Sequence, residues 1–273
     1  MMQKNKKTIL ITAPQHYRQR MEQAFAPYHE VMTAVYIPMI ASEVSVNHKE
    51  MLQWAGEVAT FDYVVCVSRR AIDAAAQYLN AGKALQNAGN NLSAAAFIAI
   101  GKDNEYMKEQ LGVTPFFVSD EASPQGIANE IKRRGNYQGK RIAVIAPEFI
   151  GINEPDTVPS FTHQLQEMGM EVSRINAYAT VATPLSERKE AYDRIINQEI
   201  DCVAFTSGGE MLSFDQGLKE AYGTDAACIL ESIHVACMGP YTARQARNTG
   251  INITSAASAY SSFDDFTQHL ASL

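Results

Sequence analysis

Short β-branched and apolar runs alternate with helical segments along the whole chain, and they recur in order. The runs are TILIT (8 to 12), YVVCVS (63 to 68), FIAIG (97 to 101), RIAVIA (141 to 146), CVAFTS (202 to 207) and VACMG (235 to 239). Strands separated by helix-length segments predict parallel sheets with crossover helices. Three blocks then match between the halves. KTILITAP, closing at Pro14, matches KRIAVIAP, closing at Pro147. Phe61-Asp62-x-Val64-x-x-x-Ser68 matches Ile200-Asp201-x-Val203-x-x-x-Ser207. Ile100-Gly101, with Leu111-Gly112 after it, matches Met238-Gly239, with Thr249-Gly250 after it. Matches in the same order at nearly constant offset point to a duplicated α/β unit.

A chain of 273 residues has the length of two such units, and its 46% hydrophobic and 19% charged residues are ordinary globular values. The segments EVMTAVY (30 to 36) and EVSRINAY (171 to 178) each read as an extended strand leading to a proline, Pro38 and Pro184. Two crossings of this kind predict a two-stranded linker. One α/β domain then contains residues 1 to 37 plus 181 to 273, and a second, 38 to 178, is inserted into it. The expected architecture is two similar three-layer α/β domains with parallel sheets, joined by that linker and with a cleft between them.

A net charge of −7 argues against a chain that coats nucleic acid or an anionic membrane, so an anionic ligand must be held by local groups. The apolar run Ile9, Leu10, Ile11 is too short for a signal-peptide core, and no stretch approaches a membrane span. The expected location is the cytoplasm. Cys66, Cys202 and Cys237 fall in predicted strands, and no CxxC, HxxxH or HxH occurs, so reduced core thiols and no metal are expected. No cofactor-binding loop of the GxxxxGK[ST] or GxGxxG type is present, nor a GxSxG nucleophile turn.

Ligands of open parallel sheets bind beyond the carboxyl ends of the strands. Here those ends read Ser68-Arg69-Arg70, Gly101-Lys102, Thr206-Ser207-Gly208-Gly209 and Gly239-Pro240-Tyr241-Thr242. The hydroxyls of Ser68, Thr206, Ser207 and Thr242 suit either helix capping or carboxylate binding. Arg69, Arg70 and Lys102 can supply local positive charge or form a solvated helix face.

At these residues the chain resembles the uroporphyrinogen-III synthase family. The matching pieces are IDCVAFTSGGEMLSF, VACMGPYTARQARNTGI, FDYVVCVSRRAIDAA, QLQEMGMEVSRINAYAT and SPQGIANEI, which together span nearly the whole chain. The resemblance implies two α/β domains with the active site in the cleft. It also implies cyclisation of hydroxymethylbilane, with inversion of the last pyrrole ring, to uroporphyrinogen III, with loss of water and no cofactor. Tyr178 matches the family tyrosine at the linker, where a phenol can assist departure of the terminal hydroxyl. Ser68, Arg69, Gly101, Lys102, Thr206, Ser207, Gly239 and Thr242 would hold the substrate's acetate and propionate groups. The expected partner is a linear tetrapyrrole bound by a monomer, with transient handover from the preceding enzyme. Three departures stand against the family pattern: Thr12-Ala13-Pro14 where it has Thr-Arg-Pro, Pro147-Glu148-Phe149 where it often has Arg-Gly, and GKDNE (101 to 105) in place of G-x-x-T-A. They keep open a catalytically silent relative, or a two-lobed module that binds a tetrapyrrole or another polyanion.

Overall fold

The computed structural model describes residues 6–44, 48–86, 94–101, 103–231, 233–258 and 262–273. Its strands are β1 (Lys7–Ile11), β2 (Met32–Tyr36), β3 (Ile40–Glu43), β4 (Tyr63–Cys66), β5 (Ala96–Ala99), β6 (Arg141–Ile150), β7 (Glu171–Ala182), β8 (Cys202–Phe205), β9 (His234–Cys237) and β10 (Ser255–Ala256). The helices are α1 (Arg18–Phe25), α2 (His48–Glu57), α3 (Arg69–Gln86), α4 (Asp103–Leu111), α5 (Pro124–Arg134), α6 (Thr157–Glu167), α7 (Leu185–Ile196), α8 (Gly208–Tyr222), α9 (Ala226–Ile229), α10 (Gly239–Asn248) and α11 (Phe263–Ser272).

The chain divides into two compact units. Unit 1 contains Met1–Ala41, Ile150–Pro155 and Val181–Leu273; unit 2 contains Ser42–Phe149 and Asp156–Thr180. One five-stranded sheet has the order β10-β9-β8-β1-β2 and the other β3-β7-β6-β4-β5. The strand pairs β1–β2, β1–β8, β8–β9, β4–β5 and β4–β6 are all parallel.

The duplicated sequence blocks occupy duplicated places. Strands β9-β8-β1-β2 of the first sheet correspond, in that order, to β5-β4-β6-β7 of the second. The matching aspartates do matching work. Thr8 N–H donates to Asp201 Oδ2 at 2.7 Å, and Arg141 N–H donates to Asp62 Oδ2 at 2.9 Å, so each carboxylate ties the start of its strand to the neighbouring strand.

Alternation along the strands makes each unit three layers deep, because successive side chains leave a strand on opposite faces. In unit 1, Leu10, Val203, Phe205 and Val235 pack with Tyr192 of α7, Met211 of α8 and Ala246 of α10. Ile9, Ile11, Cys202, Ala204 and Ala236 pack with Met21 of α1 and Phe266 of α11. In unit 2, Val64, Cys66, Phe97 and Ile145 face Trp54 of α2, Ile72 of α3 and Met107 of α4. Val65, Ile98, Ile142 and Val144 face Ile127 of α5 and Phe161 of α6. Sheets covered on both faces need the near-continuous apolar runs seen in the sequence. Each buried Ile or Val in them contributes roughly 1.5–3 kcal/mol.

Two local features differ from the sequence reading. Strand β6 does not stop at Ala146 but runs through Pro147 to Ile150. Its register with β4 ends at the Cys66–Ile145 pair: Val67 N–H donates to the Ile145 carbonyl, and the next bond of a parallel ladder would need an N–H at position 147, which proline lacks. The Pro147 carbonyl instead accepts from the Arg174 guanidinium at 2.7 Å. The short strands β3 and β10 were not anticipated; at four and two residues they carry too little pattern to read. Cys66, Cys202 and Cys237 are buried core thiols, and burial pushes the last two up to about 12.

Candidate functional site: hydroxyl-lined strand tips

In unit 2 the candidate residues meet at the carboxyl ends of β4 and β5. Ser68 follows β4 and caps α3, its Oγ accepting from Ala71 N–H at 3.1 Å. The same Oγ lies 2.8 Å from the phenol oxygen of Tyr178, which β7 carries and which is 6% exposed. These two residues are far apart in sequence and both were candidates; the structure joins them in one hydrogen bond. Burial raises the Tyr178 phenol to about 12, against the hydrogen bond to Ser68 and the positive charge of Arg70, both of which favour the anion. The phenol is therefore neutral at physiological pH, a hydrogen-bond donor and not a base.

The cations around this pair have partners. Arg69 Nε donates to Asp103 Oδ1 at 2.7 Å, and its guanidinium lies 4.7 Å from the centroid of the Tyr106 ring. Arg70 reaches Asp73 Oδ2 at 3.4 Å, while its buried Nε has no hydrogen-bond acceptor among the described residues. Tyr106 donates to Asp73 Oδ1 at 2.6 Å. Gly101 sits at φ +51°, a left-handed turn that glycine adopts without strain. Asn104 braces that turn, its Nδ2 donating to the carbonyls of Ala99 and Gly101 and its Oδ1 accepting from Ala99 N–H. Lys102, the remaining candidate of this group, lies outside the described residues.

In unit 1 the tips of β1 and β8 converge on a residue that sequence reasoning missed. Glu210, in the first turn of α8, is 1% exposed. Its Oε1 accepts from Thr206 Oγ1 at 2.5 Å and Ser207 Oγ at 2.9 Å. Its Oε2 accepts from Thr206 N–H at 2.9 Å and from Thr12 Oγ1 at 2.8 Å. Ser207 is the N-cap of α8, its Oγ accepting from Glu210 N–H at 3.4 Å. Burial pushes the Glu210 carboxyl above the usual range against these hydrogen bonds. Burial, and then the charge of Glu210, raise the phenol of Tyr36, whose hydroxyl donates to Pro14 O at 2.8 Å. A signal was present: Ser207-x-x-Glu210 is a capping-box pattern. Gly239, at φ +81°, and the buried Thr242 open α10 in the same unit. The candidates thus fall into two groups, Ser68, Arg69, Gly101 and Tyr178 in one unit and Thr206, Ser207, Gly239 and Thr242 in the other.

Among the described residues no helix is long and apolar enough to cross a membrane. Ala13, where the family pattern has arginine, is 0% exposed and packs in the apolar cluster with Ile11 and Met21.

The model of the family described as uroporphyrinogen-III synthase HemD matches residues 29–264. Comparison with curated proteins found no match. Among solved structures, a mutant uroporphyrinogen III synthase from Thermus thermophilus aligns over 97% of both chains, with 15% identity and a TM-score of 0.63. Another structure of the Thermus thermophilus synthase covers 98% of this chain and 100% of its own, with 17% identity and a TM-score of 0.48. The first of these likenesses speaks to the fold alone. With a family model matched over most of its length, on a fold of two α/β units whose strand tips carry the motif residues, this chain belongs to the uroporphyrinogen-III synthase family.

Proposed function

We propose that this chain is a cofactor-independent uroporphyrinogen-III synthase, a hydro-lyase that closes hydroxymethylbilane with inversion of ring D. The observation that carries the reading is the Ser68–Tyr178 hydroxyl pair, 2.8 Å apart at a strand tip. Closure begins when the C–O bond to the terminal hydroxyl breaks. The pyrrole nitrogen supplies the electrons, and the oxygen leaves as water after gaining a proton. The azafulvene that remains closes at the substituted carbon of the last ring to give a spiro intermediate, which reopens and recloses inverted.

Such a reaction asks for a neutral hydrogen-bond donor at the departing oxygen and for a folded substrate, not for a strong base. Tyr178 has that protonation state. Either hydroxyl of the pair can donate to the other; where Ser68, which accepts from Ala71 N–H, donates to the phenol oxygen, the phenol proton is left for a ligand. Arg69, Gly101, Lys102, Gly239 and Thr242 would hold carboxylates through side chains and backbone N–H groups. In this reading the chain acts as a monomer in the cytoplasm, where its four free cysteines suit a reducing compartment, and takes its unstable substrate from the preceding enzyme.

A second reading, a relative that binds a tetrapyrrole without turnover, is favoured by Ala13 buried in place of a cation and by Arg69 engaged with Asp103. Isomer analysis of the product made from hydroxymethylbilane separates the two, since only the synthase yields the type III isomer above the spontaneous type I background.

A further inference from the structure

Among the differences between the duplicated strand tips three belong together, the first being Thr206 where the other unit has Val67. In the matched blocks Ser207 corresponds to Ser68, and Glu210 to Ala71. Thr12, at the end of β1, corresponds to Ile145 of β6. One unit therefore carries a buried carboxylate and two additional hydroxyls that face it, where the other carries alanine, isoleucine and valine.

We infer that Glu210 is a resident ligand whose carboxylate fills the hydroxyl-lined anion position at the tip of β8, so that Thr206 and Ser207 do not hold a substrate carboxylate. Donors from two strand tips and a helix start converge on the two oxygens: Thr206 N–H, Thr206 Oγ1, Ser207 Oγ, and Thr12 Oγ1, whose single proton is shared between Glu210 Oε2 at 2.8 Å and Ala204 O at 3.0 Å. An ordinary capping box needs only the cap residue and the glutamate. Here the side chain reaches past the cap residue to the amide of Thr206 and across to another strand, and it is as buried as the core around it. A carboxylate placed there without donors would be strongly disfavoured. The donors that a sequence reading assigns to acetate or propionate groups are spent on the protein's own chain. A polycarboxylate then meets this unit through other groups, the start of α10 with Gly239 and Thr242 foremost.

Glu210→Ala removes a fragment with the size and charge of acetate, so the probe is acetate itself. Thermal unfolding of wild type, E210A and E210A/T12V is followed in sodium acetate against sodium chloride at equal ionic strength. Acetate at about ten times its dissociation constant multiplies the folded-to-unfolded ratio about elevenfold. That gain is expected for E210A, is absent in wild type, and is reduced in E210A/T12V. A folded E210A that responds to acetate no more than to chloride overturns the inference. Should E210A be obtained only unfolded, its refolding yield is compared in the two salts: recovery in acetate supports the inference and equal yields overturn it. The inference rests on reading the strand tips as carboxylate positions, but its readout is acetate occupancy and not turnover. A chain that makes no type III isomer leaves it standing, and an acetate-insensitive E210A leaves the synthase reading standing.

Discussion

Replacing Tyr178 by phenylalanine separates a hydrogen bond from the packing around it. The ring stays in the apolar cluster with Ile175, Ala177 and Cys66, and only the phenol oxygen is lost. Ser68 Oγ keeps the Ala71 N–H, and the half-buried Ser68 hydroxyl, on losing the phenol oxygen, can turn to water, so the stability cost is that of one ordinary hydrogen bond, about 1 kcal/mol. Ser68→Ala removes the same bond and also the cap of α3, for about 1–2 kcal/mol in all. Y178F/S68A loses the shared bond only once, so a double-mutant cycle in urea has a coupling energy of about 1 kcal/mol. Catalysis is affected more strongly: loss of a positioned proton donor lowers kcat by about 10²-fold or more with little change in KM. Spectrophotometric titration gives an independent check, since the tyrosinate signal missing from Y178F belongs near pH 12 and not near 10. The sign follows: a phenol raised in the folded state stabilises the fold below the unfolded value, and that contribution is lost as pH climbs through the folded one. Additive stabilities in the cycle, with kcat unchanged in Y178F, would mean that the hydroxyl pair neither couples the two residues nor serves the reaction.

Three further outcomes are expected. Asp62 is held below the usual carboxylate range, where burial is outweighed by hydrogen bonds from Lys140 and the Arg141 amide. Its contribution is present above the unfolded value and lost as pH falls through the folded one, so D62N flattens the acid limb of a stability-against-pH curve. A methyl group at Gly217 would overlap the Arg188 guanidinium and the Tyr192 hydroxyl. Arg188 cannot yield easily, because it donates to the carbonyls of Thr183 and Ser213, so G217A costs about 1–3 kcal/mol in chemical denaturation. Burial raises the Glu210 carboxyl, so its contribution is greatest in acid and falls as pH rises through the folded value; E210Q, compared with wild type along a full stability-against-pH curve, removes that dependence.

The sheets were legible because fully buried parallel strands leave near-continuous apolar runs, and the repeat was legible because Asp62 and Asp201 do the same bonding work in both units. Ser68 and Tyr178 were both visible as candidates, yet nothing in their separate contexts says that β7 delivers one to the other. Glu210 was hidden for a chemical reason. Thr206 and Ser207 offer donors suited to a carboxylate, and a sequence does not say whose carboxylate arrives. Arg69 shows the same limit, since a guanidinium that suits a substrate acid suits Asp103 equally well. Pro147 stands where the ladder with β4 ends but not where β6 ends, and a proline in a sequence does not say which of the two it marks.

Turnover with ring inversion is read directly from the isomers formed. Hydroxymethylbilane is generated in place by a coupled enzyme, the products are oxidised to porphyrins, and the type I and type III isomers are resolved with and without this chain. Type III product in excess of the spontaneous type I background is the predicted result. Type I alone, from folded protein at high concentration, would contradict it and leave a family member that keeps the fold for binding.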